Sequence, residues 1–270
     1  MPARPAATLP DGGAEDYDRL APAVWNPVSN AVVAAADILV GERVLDVFAG
    51  TGTGTVPAAQ LAGPDGQVDA VDRSSAMLDL AEAKTEALGL GNVSFQRADP
   101  AAWTSDAPYD AILSCYGVFL LDDMDAGMDS ILRMLRPGGR VAVSTWDDGA
   151  VEPLGDILLE TLRSVGAASA DDPVPVFVEN CRRLSSVDRL RAWLHDRGLA
   201  DVSVECFGLS VPFEADHAWS LALGSGYRGL LPDEPEALQR VHAAYVERLG
   251  DGFVLNADSL IACGTYHLQE

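Results

Sequence analysis

The chain has 270 residues, 48% of them hydrophobic, enough for one large α/β domain with a lid or for two small domains. Its formal net charge is −23, with one lysine (Lys84) among arginines, so it offers no basic stripe to displace phosphate counterions and the reading is no nucleic-acid partner. No apolar run reaches the roughly 18–20 residues that span a bilayer, and residues 1–16, rich in Ala, Pro and Gly, lack the basic start and apolar middle of a signal peptide. The expectation is a cytoplasmic protein without a membrane partner, carrying a loose arm over residues 1–16.

Residues 43–48 read as a buried strand closed by Gly50-Thr51-Gly52-Thr53-Gly54, with a helix over 55–61. A turn at 63–66 leads to a second strand over 67–71, ending on Asp72. Ser74 or Ser75 can cap the helix that runs to about Leu88. Strands follow over 93–97, 109–115 and 140–145, with a helix over 125–135. This alternation indicates parallel βαβ units, an α/β fold.

After Trp146 the rhythm changes. Helices are expected over 154–165, 186–197, 215–223 and 234–249, with a polar loop reaching Pro175. A long strand is expected over 202–213 and a last strand over 258–267. Gly224, Gly226 and Gly229 read as a hinge between two lid helices. The four cysteines lie far apart, with no Cys or His at metal-ligand spacing, so they read as buried reduced thiols and no metal is expected.

The strongest chemical signal is the first strand, its glycine turn and Asp72. Glycines at 50, 52 and 54 let backbone approach a ligand where a side chain would collide. The following helix directs free N–H groups toward that ligand. A carboxylate at the end of the second strand can accept from both ribose hydroxyls. These features suit NAD and S-adenosylmethionine (SAM) alike. Spacing separates them: the dinucleotide turn needs a glycine at position 55, which is Thr.

The segment Val44 to Gly52 resembles the first motif of class I SAM-dependent methyltransferases, and Val71-Asp72-Arg73-Ser74-Ser75-Ala76-Met77-Leu78 the second. Ala98-Asp99 resembles the adenine-binding motif, Tyr109 to Ser114 the fourth-strand motif, and Leu135 to Val141 the segment before strand five. The run Tyr17 to Pro27 resembles the opening of ubiquinone/menaquinone-type small-molecule methyltransferases. The resemblance implies a Rossmann-like, mostly parallel sheet with an antiparallel last strand and a helical lid. It implies a cofactor set of Tyr17, Asp46, Ala49, Gly50, Gly52, Asp72, Arg73, Met77, Asp99 and Ser114, with SAM converted to S-adenosylhomocysteine. Asp72 would hold the ribose, Met77 would lie near adenine, and Asp99 would accept from the adenine amine. Two residues depart from the family pattern. Phe48 narrows the floor under the methionine moiety. Pro100 lacks the N–H that usually meets adenine, so that contact must shift to Ala101 or Ala102 or be lost.

Residues 17–149 are thus expected to form the SAM-binding core with its cap. Residues 150–270 are expected to complete the sheet (about 202–213 and 258–267) and to supply an acceptor lid (about 214–250). Tyr116, Phe119, Trp146, Trp219, Tyr227 and Arg228 are the acceptor-side candidates, and each of these could equally be core packing. His217 is the candidate general base. The implied partner is a small organic acceptor, and the implied assembly a monomer or homodimer. A SAM-dependent cyclase or decarboxylase, or a non-catalytic SAM-binding protein, would use the same scaffold.

Overall fold

The computed structural model describes residues 11–169 and 174–267, so most of the expected N-terminal arm lies outside the described residues. Helix α1 (Ala14–Arg19) begins inside the segment read as an arm, and Ala14 is buried there. A π-helical turn at Ala21–Trp25 leads into α2 (Asn26–Ala36). The core then alternates β1 (Arg43–Val47), α3 (Thr55–Ala62), β2 (Gln67–Asp72), α4 (Ser75–Ala87), β3 (Val93–Arg97), β4 (Tyr109–Cys115), α5 (Met124–Leu132) and β5 (Leu135–Trp146). The second half contains α6 (Glu152–Ser164), α7 (Val176–Leu184), α8 (Val187–Asp196), β6 (Leu199–Phe207), β7 (Ser210–Pro212), α9 (Ala215–Gly224), α10 (Pro235–Leu249), β8 (Val254–Asn256) and β9 (Ser259–Tyr266).

Seven strands form one sheet in the order β3-β2-β1-β4-β5-β9-β6. The strands β1 to β5 pair in parallel, and β9 runs antiparallel to both its neighbours. Both faces are covered, which is why the central strands read as continuous apolar runs. Val44, Leu113 and Ala142 face one core with α2 and α3; Leu45, Ile112 and Val141 face the other with α5 and α8. Ser74 caps α4 by accepting from the Met77 N–H, as expected from sequence.

The structure differs from the sequence reading in four places. Strand β5 starts at Leu135, because Leu135 pairs with Tyr109 and a register shift carries the chain past Pro137-Gly138-Gly139. The strand expected over 202–213 breaks after Phe207, and β7 leaves the main sheet to pair with β8. Helix α7 occupies the segment between the loop reaching Pro175 and the helix over 186–197, where no element is expected from the sequence. The thiols are all free, but only Cys115 is fully buried and Cys206 is exposed on the outer strand. Among the described residues, no helix is long and apolar enough to cross a membrane.

Candidate active site

The C-terminal ends of β1, β2, β4 and β5 open on a cavity of about 180 Å³, roofed by α1, α6, α7 and the end of α9. Three non-glycine residues with positive φ line it: Phe48 (58°), Tyr116 (54°) and Val151 (52°). Strained backbone of this kind persists only where surrounding structure fixes it, and it clusters at ligand sites.

At one end lies the glycine turn. Gly50 takes φ +54°, and a Cβ there would meet the Tyr17 ring at 3.6 Å. Gly52 takes φ +83° and packs so closely on α4 that a Cβ would sit 3.0 Å from that of Ala81. The Asp72 carboxylate, at the end of β2, accepts from the N–H groups of Gly50 and Ser74, both at 2.9 Å. Burial pushes this carboxyl above its usual range, against the lowering effect of those hydrogen bonds. Each oxygen retains accepting capacity for a further donor.

Asp46 lies behind the turn and outside the cavity lining. Its Oδ2 accepts from the Thr55 hydroxyl at 2.6 Å, while its buried Oδ1 has no partner. Burial raises its pKa to about 7, with nearby Asp72 adding to the rise and the Thr55 hydrogen bond opposing it. A buried carboxyl with an orphaned oxygen beneath a glycine turn suits a cation bound above it.

The middle of the cavity is aromatic. Tyr17 stacks on Trp25 at 4.7 Å, and the Trp25 indole N–H donates to the Tyr17 carbonyl. Tyr116 stacks on Trp146 at 4.2 Å, and Trp25 meets both edge-on. The Tyr116 hydroxyl is paired with the Ser259 hydroxyl at 2.6 Å. Burial pushes the protons of Tyr17, Tyr116 and Cys115 upward, so none is held ionised near neutral pH. At the far end Phe177 meets Tyr227 edge-on at 5.3 Å, beside Val174, Val178 and Leu159. The mouth carries Glu152, Asp156 and Arg182.

Of the sequence-named cofactor residues, Tyr17, Gly50, Asp72, Arg73 and Met77 line this cavity. Ala49 and Gly52 build the turn without facing the cavity. The Ser114 hydroxyl is buried behind Gly117, where a Cβ would come within 2.6 Å of it. Asp99 does not line the cavity: it pairs with Arg73 at 2.9 Å and accepts from the Ala101 N–H at 3.0 Å. The substitute adenine donors are also engaged, since the Ala102 N–H donates to the Asp99 carbonyl. The expected adenine contacts at Asp99, Ala101 and Ala102 are therefore tied into a local turn.

On the acceptor side, Tyr116, Phe119, Trp146 and Tyr227 line the cavity, whereas His217, Trp219 and Arg228 do not. His217 lies a turn before the cavity-facing Leu221 of α9, tilted against Phe213 at 5.6 Å. Trp219 points about 200° round the helix from Leu221. It stacks on His242 of α10 at 4.6 Å. Arg228 faces Asp233 at 3.9 Å. Two of the three glycines read as a hinge serve close packing: a Cβ on Gly224 would come within 2.5 Å of the Tyr17 backbone, and one on Gly226 within 3.2 Å of the Phe177 ring, whereas one on Gly229 would meet nothing within 4 Å. The sequence reading missed α7, which supplies Phe177, Val178, Cys181 and Arg182. The signal was present, since Phe177, Cys181 and Leu184 recur at i, i+4 and i+7.

Residues 44–139 match the family model described as a methyltransferase domain. The ubiquinone/menaquinone biosynthesis C-methyltransferase UbiE of Escherichia coli is 30% identical over 185 residues, covering 66% of this chain and 73% of the relative. This chain is a class I SAM-dependent methyltransferase. A second relative of the same printed function, from Pasteurella multocida, is 29% identical over 66% of this chain and 68% of its own. Among solved structures, the methyltransferase shares its fold with YcgJ of Bacillus subtilis (TM-score 0.58, 16% identity, 90% and 99% of the two chains). It shares it also with the [4+2]-cyclase SpnF (TM-score 0.59, 18% identity, 98% and 99%).

Proposed function

We propose that this methyltransferase carries the methyl group of SAM to a small apolar or aromatic acceptor and releases S-adenosylhomocysteine. The observation that carries the reading is a single cavity joining the glycine turn and Asp72 to a wall of aromatic and aliphatic side chains. SAM supplies a methyl group on a good leaving group, so the protein has chiefly to align nucleophile and methyl and to keep water away. Asp72 accepts from the ribose hydroxyls, Arg73 and Met77 flank the adenine end, and Tyr17 covers the methionine end. Phe48, Tyr116 and Trp146 present apolar faces where the two halves of the cavity meet.

Among the described residues that line the cavity, none is a histidine. Burial also keeps the Tyr116 and Tyr227 hydroxyls protonated. On this reading the nucleophile arrives already ionised or electron-rich, as a phenolate oxygen or an activated ring carbon does, and Asp147, Glu152 and Asp156 are the carboxylates beside it that could take up a proton. The C-methyltransferases of ubiquinone and menaquinone biosynthesis among the relatives support an electron-rich ring. We read the enzyme as a cytoplasmic monomer or homodimer acting on free small molecules.

The test is incubation with SAM and a panel of phenols, naphthols and hydroquinones, followed by mass spectrometry. The expected result is S-adenosylhomocysteine together with a product heavier by one CH2. SAM-dependent conversion of an acceptor with no S-adenosylhomocysteine formed would overturn methyl transfer in favour of cyclase or decarboxylase chemistry.

A further inference from the structure

We propose that Lys84, the chain's single lysine, is a positioning residue that clasps α1 over the bound cofactor and so links the cofactor end of the cavity to the acceptor end. The proposal rests on the reading that the cofactor lies over the glycine turn. Lys84 sits in the last turn of α4, three residues after Ala81, and both project from the same face of the helix. Ala81 packs under Gly52. Lys84 Nζ donates to the Thr51 carbonyl of the glycine turn at 2.8 Å and pairs with the Asp18 carboxylate of α1. One ammonium thus bridges three separate pieces of chain, namely α4, the turn and α1.

The piece it holds carries Tyr17, whose ring stands over Gly50. The opposite face of α1 is locked to α9. A Cβ on Gly13 would lie 2.3 Å from the Leu223 carbonyl oxygen, and one on Gly224 would lie 2.5 Å from the Tyr17 nitrogen, so the two backbones touch. The Ser220 hydroxyl donates to Asp16 at 3.0 Å and accepts from Arg19 at 3.2 Å. Leu221 and Gly224 of α9 line the same cavity as Tyr17. A ligand that steadies the glycine turn therefore steadies α1 through Lys84, and α1 steadies the wall of the acceptor pocket.

The ion pair is about one-third exposed on each side. An isolated pair of that kind contributes little, but here it is joined by a second hydrogen bond to a buried turn. Loss of the clasp should raise the dissociation constant for S-adenosylhomocysteine roughly three- to tenfold, chiefly through a faster off-rate. The experiment measures binding by calorimetry and dissociation by the fluorescence of Trp25 and its neighbours, in the wild type, Lys84→Met, Lys84→Arg, Asp18→Asn and the double variant Lys84→Met/Asp18→Asn. Lys84→Met and Asp18→Asn should each weaken binding, Lys84→Arg should restore most of it, and the double variant should be no worse than Lys84→Met. Hydrogen exchange supplies a second reading. The ligand should slow exchange in residues 14–19 and 215–224 of the wild type, and only around the turn in Lys84→Met. Unchanged affinity in both single variants, additive losses in the double variant, or undiminished protection of 215–224 in Lys84→Met would each overturn the clasp. Asp72→Ala serves as the independent control, because normal binding by that variant would instead remove the cofactor from the turn.

Discussion

The buried Asp46 carboxyl should make cofactor binding a proton-releasing event near neutral pH. Without a ligand its pKa is about 7, raised from the ordinary 3.8 first by burial. A cation above the glycine turn, at an assumed separation of about 6 Å, would interact with the carboxylate by about 2–3 kcal/mol at an effective dielectric of about 20. That would lower the pKa by about two pH units. At pH 7 the ligand-free carboxyl is about half ionised and the liganded one almost fully, so about half a proton leaves on binding; at pH 6 the release approaches about 0.8. Affinity should therefore rise with pH between about 5 and 7 and level off above about 8. The sign for folding is opposite. The folded carboxyl keeps its proton up to about pH 7 while the unfolded one loses it near 3.8, so ligand-free stability falls as pH rises across that window. The full cost, reached above pH 7, is about 4 kcal/mol. Calorimetry in buffers of different ionisation enthalpy counts the protons, and Asp46→Asn should abolish the release while making the ligand-free protein at least as stable at pH 8. No proton release at pH 6–7, or the same release in Asp46→Asn, would refute the reasoning.

The remaining predictions concern single side chains around the cavity. Asp72→Ala should weaken S-adenosylhomocysteine binding by about 1.5–3 kcal/mol, the scale of hydrogen bonds to a charged group, as read by calorimetry. Gly50→Val forces a branched residue to adopt φ +54° beneath the Tyr17 ring, and should eliminate measurable binding while the protein keeps its far-ultraviolet dichroism. His217→Ala should leave turnover within about twofold of wild type, because its ring lies outside the cavity. Trp219→Ala should lower unfolding free energy by about 2–3 kcal/mol in urea, through lost packing on His242 and Tyr245, and leave cofactor affinity nearly intact.

The cofactor half was legible because its constraints act on neighbouring residues. A buried strand, a turn that must approach a ligand and a helix that must start there occupy residues 43–62, and each leaves its mark in that short stretch. Asp72 was findable for the same reason, as the polar residue that ends a buried run. The acceptor half answers to a different geometry. Its wall comes from α6, α7, the end of α9 and the 3-10 turn Gly226–Leu230, segments joined only in three dimensions. Whether Trp219 faces a cavity or a neighbouring helix depends on how α9 is rotated against α10, which aromatic character alone does not record. Gly224 and Gly226 read as a hinge because flexibility and close approach both select glycine; the contacts with Tyr17 and Phe177 decide for close approach. The motif fixes the place of Asp99 in the chain, whereas the partner it takes in this structure, Arg73, is set by the fold.

Backbone strain explains how a sheet edge becomes an alignment device. Among the described residues, the other two positive-φ non-glycine residues are Asp37, which ends α2, and Asp201, at the irregularity in β6; aspartate tolerates that conformation. Phe48, Tyr116 and Val151 are bulky or β-branched, and each costs of order 1–3 kcal/mol in this region. Packing offsets the cost at the first two. Phe48 fits against Gly117, where a Cβ would come within 2.6 Å of its ring. The Tyr116 N–H donates to the Ser144 hydroxyl at 3.0 Å, its hydroxyl pairs with Ser259, and its ring stacks on Trp146. An extended backbone would send these side chains across the sheet in alternation, toward the two cores. The reversed φ instead aims both rings off the ends of β1 and β4 into the cavity, between the glycine turn and the acceptor wall. For a transfer that depends on holding two partners in line and dry, rings fixed by backbone and hydrogen bonds hold position better than freely rotating side chains could.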